Sequence, residues 1–307
     1  MRVVITGGCG FLGSAVASHL LDEGHDVVLF DYLPPGSKGI RIDTEYVQGE
    51  VRDQDAIAKV VRRADEVYHM AGVLGTAELQ EDVHHAIEVN VIGAVNVFEA
   101  AVAAGVQRVF YPGKPNVWLN TYTITKECSE NFARMYNRSG HDITISSLRY
   151  FNGFGPGQSL QPIRKIIPAF AVQAMRGLPI EVFGDGEQIV DMIYSGDIGA
   201  LTVNFTRSGC VDRIPDCGSG IGLTVNQVAE SVNAHFGNKA GIRHLPMRAG
   251  ETPNTVLTAD TTALREVLGD YPMTSYEDAL ALTLDWYAGL DSESVDKAVA
   301  FYGWGAS

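Results

Sequence analysis

Tyr122 and Lys126 stand one helical turn apart, so on a helix a phenol and an ammonium share one face. A phenol with an ordinary pKa near 10 is a poor base at neutral pH. A neighbouring ammonium and a cationic ring both favour the phenolate and move it towards the working range. The chain opens with a second chemical feature, Thr6-Gly-Gly-Cys-Gly-Phe-Leu-Gly13. Gly7 permits a tight turn, Gly10 lets backbone N–H groups approach a phosphate, and Gly13 lets a helix pack closely on a strand. The two features point to redox chemistry on a nicotinamide dinucleotide, with Tyr122 as base, Lys126 as its partner, and Gly7, Gly10, Phe11, Leu12 and Gly13 around the pyrophosphate.

The glycine turn gains specificity from its surroundings. Val3-Val4-Ile5 before it reads as a buried strand and residues 11–23 after it as a helix. No lysine follows where a Walker loop needs one. A second strand, Val27-Val28-Leu29-Phe30, ends at Asp31, whose carboxylate can accept from the adenosine ribose hydroxyls. That favours NAD. Lys38 and Arg41 in the next loop offer partners for the 2′-phosphate of NADP, but Asp31 would repel that group. Further along, strands at 66–70, 107–111 and 143–150 alternate with helices near 54–63, 83–104 and 122–139. This rhythm predicts an α/β, Rossmann-type doubly wound parallel sheet, with ligands at the carboxyl ends of its strands.

After residue 150 the pattern loosens into Gly- and Pro-marked segments, which predicts a smaller, discontinuous C-terminal substrate domain. Residues 198–205 read as helix and 211–217 as strand, returning to the first sheet. The expected division is 1–155 and 189–217 for the dinucleotide-binding domain, and 156–188 and 218–307 for the substrate domain. With 46% hydrophobic residues in 307, a substantial core is available. A formal charge of −14 disfavours nucleic acid and anionic membrane as partners, so an anionic substrate requires local basic residues. Cys9, Cys128, Cys210 and Cys217 lack metal-ligand spacing; no metal is expected, and His69, His84 and His85 read as structural. Cys9 lies near a helix N-terminus, where a thiolate is favoured, but a small side chain filling a tight loop is the preferred reading. The chain begins directly on a strand, and no apolar run approaching the roughly 20 residues of a membrane span is read. The expectation is a cytoplasmic protein.

Further markers follow in order: Gly49-Glu-Val-Arg-Asp53, Tyr68-His-Met-Ala-Gly72, Asn90-Val-Ile-Gly93, Tyr122 with Lys126, Arg149-Tyr-Phe-Asn152, Phe183-Gly-Asp-Gly186, Asp191-Met-Ile-Tyr194 and Arg248-Ala-Gly-Glu251. With the glycine turn they cover nearly the whole chain, which therefore resembles the extended short-chain dehydrogenase/reductase family, in particular its sugar-nucleotide epimerases, dehydratases and decarboxylases. The resemblance implies NAD as cofactor and a nucleotide-diphosphate sugar as substrate. It also implies Glu50 and Val51 beside the adenine, Ala71 and Gly72 along the cofactor, and Asn90 near the strand that carries the catalytic hydroxyl. Lys126 would bond the nicotinamide ribose. Residues 74–79, beginning at Leu74, and 158–165 would face sugar and base. The helices at 83–104 and 122–139 correspond to a dimer contact in that family, so a homodimer is expected.

Two departures stand out. Relatives place a Ser or Thr at the end of the fifth strand to bond the reacting oxygen, whereas this chain has Tyr111, Pro112 and Gly113 there. Thr121, Thr123 and Thr125 are possible substitutes, and Thr121 is preferred because Thr123 and Thr125 project from other helix faces than Tyr122. Relatives also carry an arginine before the aspartate of Gln188-Ile-Val-Asp191, where this chain has Val190. Arg248 and Asn152 remain as diphosphate contacts, with Arg164 and Lys165 further candidates; an ion pair of Arg248 with Glu251 is the less favoured alternative. The Thr-Asp-Glu triplet of the dehydratases is absent. Three readings follow: an NAD-dependent sugar-nucleotide epimerase, which is preferred; another enzyme of the fold, a decarboxylase, dehydratase or reductase; and an NAD-binding sensor or scaffold with impaired catalysis.

Overall fold

A computed structural model describes residues 1–75, 78–115, 119–248 and 254–305. Thr76 and Ala77 of the expected sugar-facing loop, and Ala249, Gly250 and Glu251 of the last marker, lie outside the described residues. The chain divides into two compact units, one of residues 1–151, 195–217 and 260–272, the other of 152–194, 218–259 and 273–307.

The first unit is built on β1 (Arg2–Thr6), β2 (Asp26–Asp31), β3 (Glu45–Gln48), β4 (Glu66–His69), β5 (Arg108–Gly113) and β6 (Thr144–Tyr150). With Asp216–Cys217 they form one seven-stranded parallel sheet, ordered β3-β2-β1-β4-β5-β6 and then Asp216–Cys217. This is the doubly wound arrangement, and its strand order reverses between β1 and β4, where such sheets bind dinucleotides. Apolar runs make these strands, because a parallel sheet is covered on both faces. Val3, Val4, Ile5, Val27, Val28, Val67 and Val109 are wholly buried.

Helices α1 (Phe11–Asp22), α2 (Gln54–Val61), α3 (Val83–Ile87), α4 (Gly93–Ala104) and α5 (Thr121–Asn137) follow β1, β3, β4 and β5. Their starts are set by side chains: Asp53 caps α2 by accepting from the Ala56 N–H, and Asn120 caps α5 by accepting from the Thr123 N–H at 2.9 Å. One π-helical turn, Glu88–Ile92, joins α3 to α4. Contrary to the sequence expectation, the continuous run Val83–Ala104 is long and apolar enough to cross a membrane by length and composition. Its inner residues Ala86, Ala94, Val97, Phe98 and Ala101 are fully buried, as in the core helix of a folded domain.

The second unit has its own core, around Phe154, Ile167, Phe170, Val182, Val228, Leu284 and Tyr287. Strand Ile189–Tyr194 pairs here with Asn152–Phe154 and Gly222–Thr224. The sequence reading grouped 189–194 and 152–155 with the dinucleotide-binding domain; both segments instead hydrogen-bond within the second unit. Conversely, residues 260–272 belong to the first unit. The predicted strand at 211–217 is paired only over Asp216–Cys217, and β3 appears where the sequence reading had no strand.

Candidate active site

Gly7 follows β1 with φ +70°, and a Cβ there would lie 2.5 Å from the Ala71 backbone nitrogen. A Cβ on Gly13 would lie 2.1 Å from the Gly7 carbonyl oxygen. The turn is therefore closed to any larger residue at these positions, and the α1 N-terminus stands over it with Gly10 at the cap. Phe11 and Leu12 form the first turn of α1. The loop after β2 folds back against this terminus: Gly10 bridges Lys38, and the Ile40 N–H donates to Ser14 Oγ at 3.3 Å.

Asp31 sits at the tip of β2, buried, with its carboxylate accepting from the Cys9 N–H at 3.0 Å and the Leu33 N–H at 3.1 Å. Burial raises its pKa, and those backbone donors oppose the rise. Lys38 donates to the Tyr32 hydroxyl at 3.1 Å. Burial pushes the Cys9 thiol up to about 12, with Asp31 adding to the effect, so Cys9 stays a neutral filler of the loop. Glu50 lines an open cavity of about 600 Å³ with Arg52, Asp53, Glu88 and Ile92. Val51 is buried behind it, and its carbonyl accepts from Asn96 at 2.9 Å.

On the other side of the switch point, β4 ends at His69. The buried imidazole shares a 2.7 Å hydrogen bond between Nδ1 and Thr6 Oγ1. Burial, helped by the nearby Lys126 charge, pushes it down to about 3, so it remains neutral. Ala71 and Gly72 then pass the glycine turn, and Asn90 holds the next peptide on both sides. Its Oδ1 accepts from the Val73 N–H at 2.9 Å, and its Nδ2 donates to the Val73 carbonyl at 3.0 Å and to Thr125 Oγ1 at 3.1 Å. The Asn90 carbonyl accepts from Ser129 Oγ at 2.7 Å. Asn90 lies in the π-helical turn, whose extra residue aims this side chain at the loop. Its observed work is to fasten residue 73 to α5, with Leu74 following, 40% exposed.

Tyr122 and Lys126 occupy the first turns of α5, as the spacing predicts. The Lys126 ammonium is buried 3.9 Å above the Tyr111 ring, and that ring stacks on His69 at 5.9 Å. The Tyr111 hydroxyl donates to the Lys126 carbonyl at 3.3 Å. A continuous line thus runs from the glycine turn through His69 and Tyr111 to the Tyr122–Lys126 helix. Tyr111 spends its hydroxyl in the core.

The electrostatics depart from the sequence expectation. Burial raises Tyr122 to about 12 and lowers Lys126 to about 7, with Glu130 partly opposing the second effect. The ammonium does not by itself offset the desolvation of the phenol. Thr121 opens α5, and its carbonyl accepts from Thr125 Oγ1 at 2.9 Å. Lys114 is a further residue at this site, beyond those expected from the sequence. It follows the last residue of β5, donates to Thr123 Oγ1 at 2.5 Å, and lies 5.4 Å from the Tyr122 ring centroid. Burial lowers it to about 8. The available signal was a lysine between Gly113 and Pro115, just beyond the carboxyl end of β5.

Asn152 and Arg248 belong to the second unit. Asn152 donates to the Asp191 carbonyl at 3.1 Å. The Asp191 carboxylate accepts from the N–H groups of Ser219, Gly220 and Ala259 and from Ser219 Oγ, which makes it a structural anchor. Val190 is buried in the core. Arg248 and Arg164 lie 5.0 and 4.6 Å from the Phe183 ring, and Arg164 pairs with Glu181 at 3.2 Å.

A Rossmann-type sheet with a closed glycine turn at its switch point, an acid ending β2 and a Tyr/Lys pair on α5 defines a dinucleotide-dependent enzyme. The family model described as "NAD dependent epimerase/dehydratase family" matches residues 3–208, and the chain belongs to that family. Its cofactor is NAD, which the glycine cradle and Asp31 fit. The chain is 26% identical to the UDP-N-acetyl-alpha-D-glucosaminuronate decarboxylase of Bacillus cytotoxicus, over 95% of this chain and 99% of that protein. It is similar to a crystal structure of the Thermus thermophilus UDP-glucose 4-epimerase in complex with NAD, with a TM-score of 0.84, 25% identity, and coverage of 95% and 100% of the two chains. An epimerase structure from Methanothermobacter thermautotrophicus superposes with a TM-score of 0.88 at 26% identity, covering 96% of this chain and 94% of that one.

Proposed function

We propose that this chain is an NAD-dependent sugar-nucleotide epimerase in which Tyr122 takes the proton of a sugar hydroxyl. The observation that carries the reading is the Tyr122–Lys126 turn of α5, linked through Tyr111 and His69 to the glycine cradle. Gly7, Gly10, Gly13 and Asp31 would hold the dinucleotide, and Lys126 its nicotinamide ribose. Bound NAD would supply the hydride acceptor and the positive ring charge that brings the phenol down from about 12, and an epimerase leaves it unconsumed. Lys126, poised near 7, adds positive charge beside the phenolate when protonated. In the second unit, Arg248 and Arg164 beside Phe183 offer paired cations to a diphosphate.

The test is incubation with UDP-glucose, UDP-galactose, UDP-glucuronate and UDP-N-acetylglucosamine, with products resolved by NMR. Interconversion of epimers without added NAD is expected, and Tyr122→Phe should lose about 10²-fold or more. Release of carbon dioxide from UDP-glucuronate instead would replace this reading with decarboxylation, the chemistry named for the Bacillus cytotoxicus relative.

The assembly proposed is a homodimer through the helical run 83–104 and α5. Val83, Ile87, Ile124 and Met135 on these helices are each at least 41% exposed, apolar side chains that such an interface would cover. A monomeric mass by light scattering would contradict it.

A further inference from the structure

We infer that Lys114 is a catalytic residue, the hydrogen-bond donor to the sugar oxygen that Tyr122 deprotonates. The inference rests on the reading of Tyr122 as the base. A base that removes a hydroxyl proton leaves growing negative charge on the oxygen, and a donor fixed beside that oxygen stabilises it. The carboxyl end of β5 is where the parallel sheet presents groups to a ligand. Gly113 ends that strand, and Lys114 is the first residue beyond it.

Two contacts fix its head. The ammonium donates to Thr123 Oγ1 at 2.5 Å and lies 5.4 Å from the centroid of the Tyr122 ring. Thr123 is buried on α5, itself held by the Asn120 cap, so the anchor is rigid. With one N–H on Thr123, an ammonium keeps two more donors for a ligand. Thr121, the substitute suggested by sequence, adjoins Tyr122 on the helix, and consecutive helical side chains diverge rather than face each other. Lys114 comes over the Tyr122 ring from the end of β5, not from the same helix, and escapes that constraint. Burial lowers the Lys114 pKa to about 8, so it is mostly an ammonium at neutral pH.

The chemistry is that of a charge-assisted hydrogen bond, stronger than one from a neutral hydroxyl. The proton lost by the sugar goes to the Tyr122 oxygen. Lys114 keeps its own proton throughout, so no further acid or base is consumed.

The test uses the NAD-loaded enzyme and the four UDP-sugars named above. Lys114→Met is expected to slow single-turnover reduction of the bound nicotinamide by about 10²–10³-fold, with little change in KM. Lys114→Ser, which returns a hydroxyl donor, is expected to recover part of the loss. A second readout needs no turnover: the wild-type protein is produced with isotope-labelled lysine, and the Lys114 Cε resonance is assigned by its absence in Lys114→Arg. That resonance should shift on adding a UDP-sugar that binds, and not on adding UDP alone. Turnover of Lys114→Met at the wild-type rate overturns the inference, as does a Lys114 resonance that answers UDP and UDP-sugar alike. If Lys114→Met does not fold, the wild-type resonance decides. If no UDP-sugar binds or turns over, the epimerase reading falls and this inference falls with it; turnover that ignores Lys114 removes this inference alone.

Discussion

Lys126 is held in its amine-favouring surroundings at a cost that denaturation can measure. Burial brings its pKa from 10.5 to about 7. At about 1.36 kcal/mol per pH unit, the buried ammonium costs the folded state about 5 kcal/mol, an order-of-magnitude figure, wherever both states are protonated. The sign follows from the depressed folded value. Below pH 7 the cost is complete. Between about 7 and 10.5 only the unfolded chain binds the proton, so stability rises with pH, and above 10.5 the cost is gone. Lys126→Met removes this titration while filling the same space over Tyr111. In the variant Glu130 loses a nearby charge but keeps Arg134 at 2.6 Å. Urea unfolding of nucleotide-free wild type and Lys126→Met should therefore show the variant more stable near pH 6. That advantage should shrink by roughly 2–3 kcal/mol by about pH 9, while activity is lost at both. A gap that stays constant with pH, or a variant less stable than wild type near pH 6, would refute the argument that desolvation dominates at this lysine.

Other substitutions probe the cradle and its fastening. Gly13→Ala drives a methyl to 2.1 Å from the Gly7 carbonyl oxygen, where only backbone can yield, so calorimetric NAD affinity should fall at least about tenfold; unchanged affinity would show that the turn adapts. Asn90→Leu strands the Val73 N–H and carbonyl and removes the amide bond to Thr125, and should cost about 2–4 kcal/mol in urea unfolding. A loss below about 0.5 kcal/mol would mean that water replaces the amide at no cost.

The dinucleotide half of the fold was legible because its signals are local. A buried apolar strand, a glycine turn, a helix and an acid at the next strand end occur within the first 31 residues, and each fixes its own geometry. β3 escaped because only Tyr46 and Val47 interrupt its polar ends, and neither is fully buried, so the four residues read as loop. Ile189–Tyr194 held only a family marker in the sequence, since the sheet it joins depends on pairing with Asn152–Phe154 and Gly222–Thr224, distant in the chain. The Tyr122–Lys126 spacing revealed the helical pair, while the direction of their pKa displacement depends on burial, which spacing does not encode. Lys114 was missed for a chemical reason: the end of β5 was searched for a hydroxyl, and an ammonium anchored by Thr123 stands beside it.

The interleaving of the two units bears on how the protein is made. Neither can close as its first residues leave the ribosome, since one needs residues 260–272 and the other 273–307. The Asp191 carboxylate waits for the Ala259 amide, 68 residues later, which at 5–20 residues per second is about 3–14 seconds of synthesis. For about the first half of that interval a nascent chain carries strand Ile189–Tyr194 without its partner Gly222–Thr224, and so presents an open edge until those residues are made.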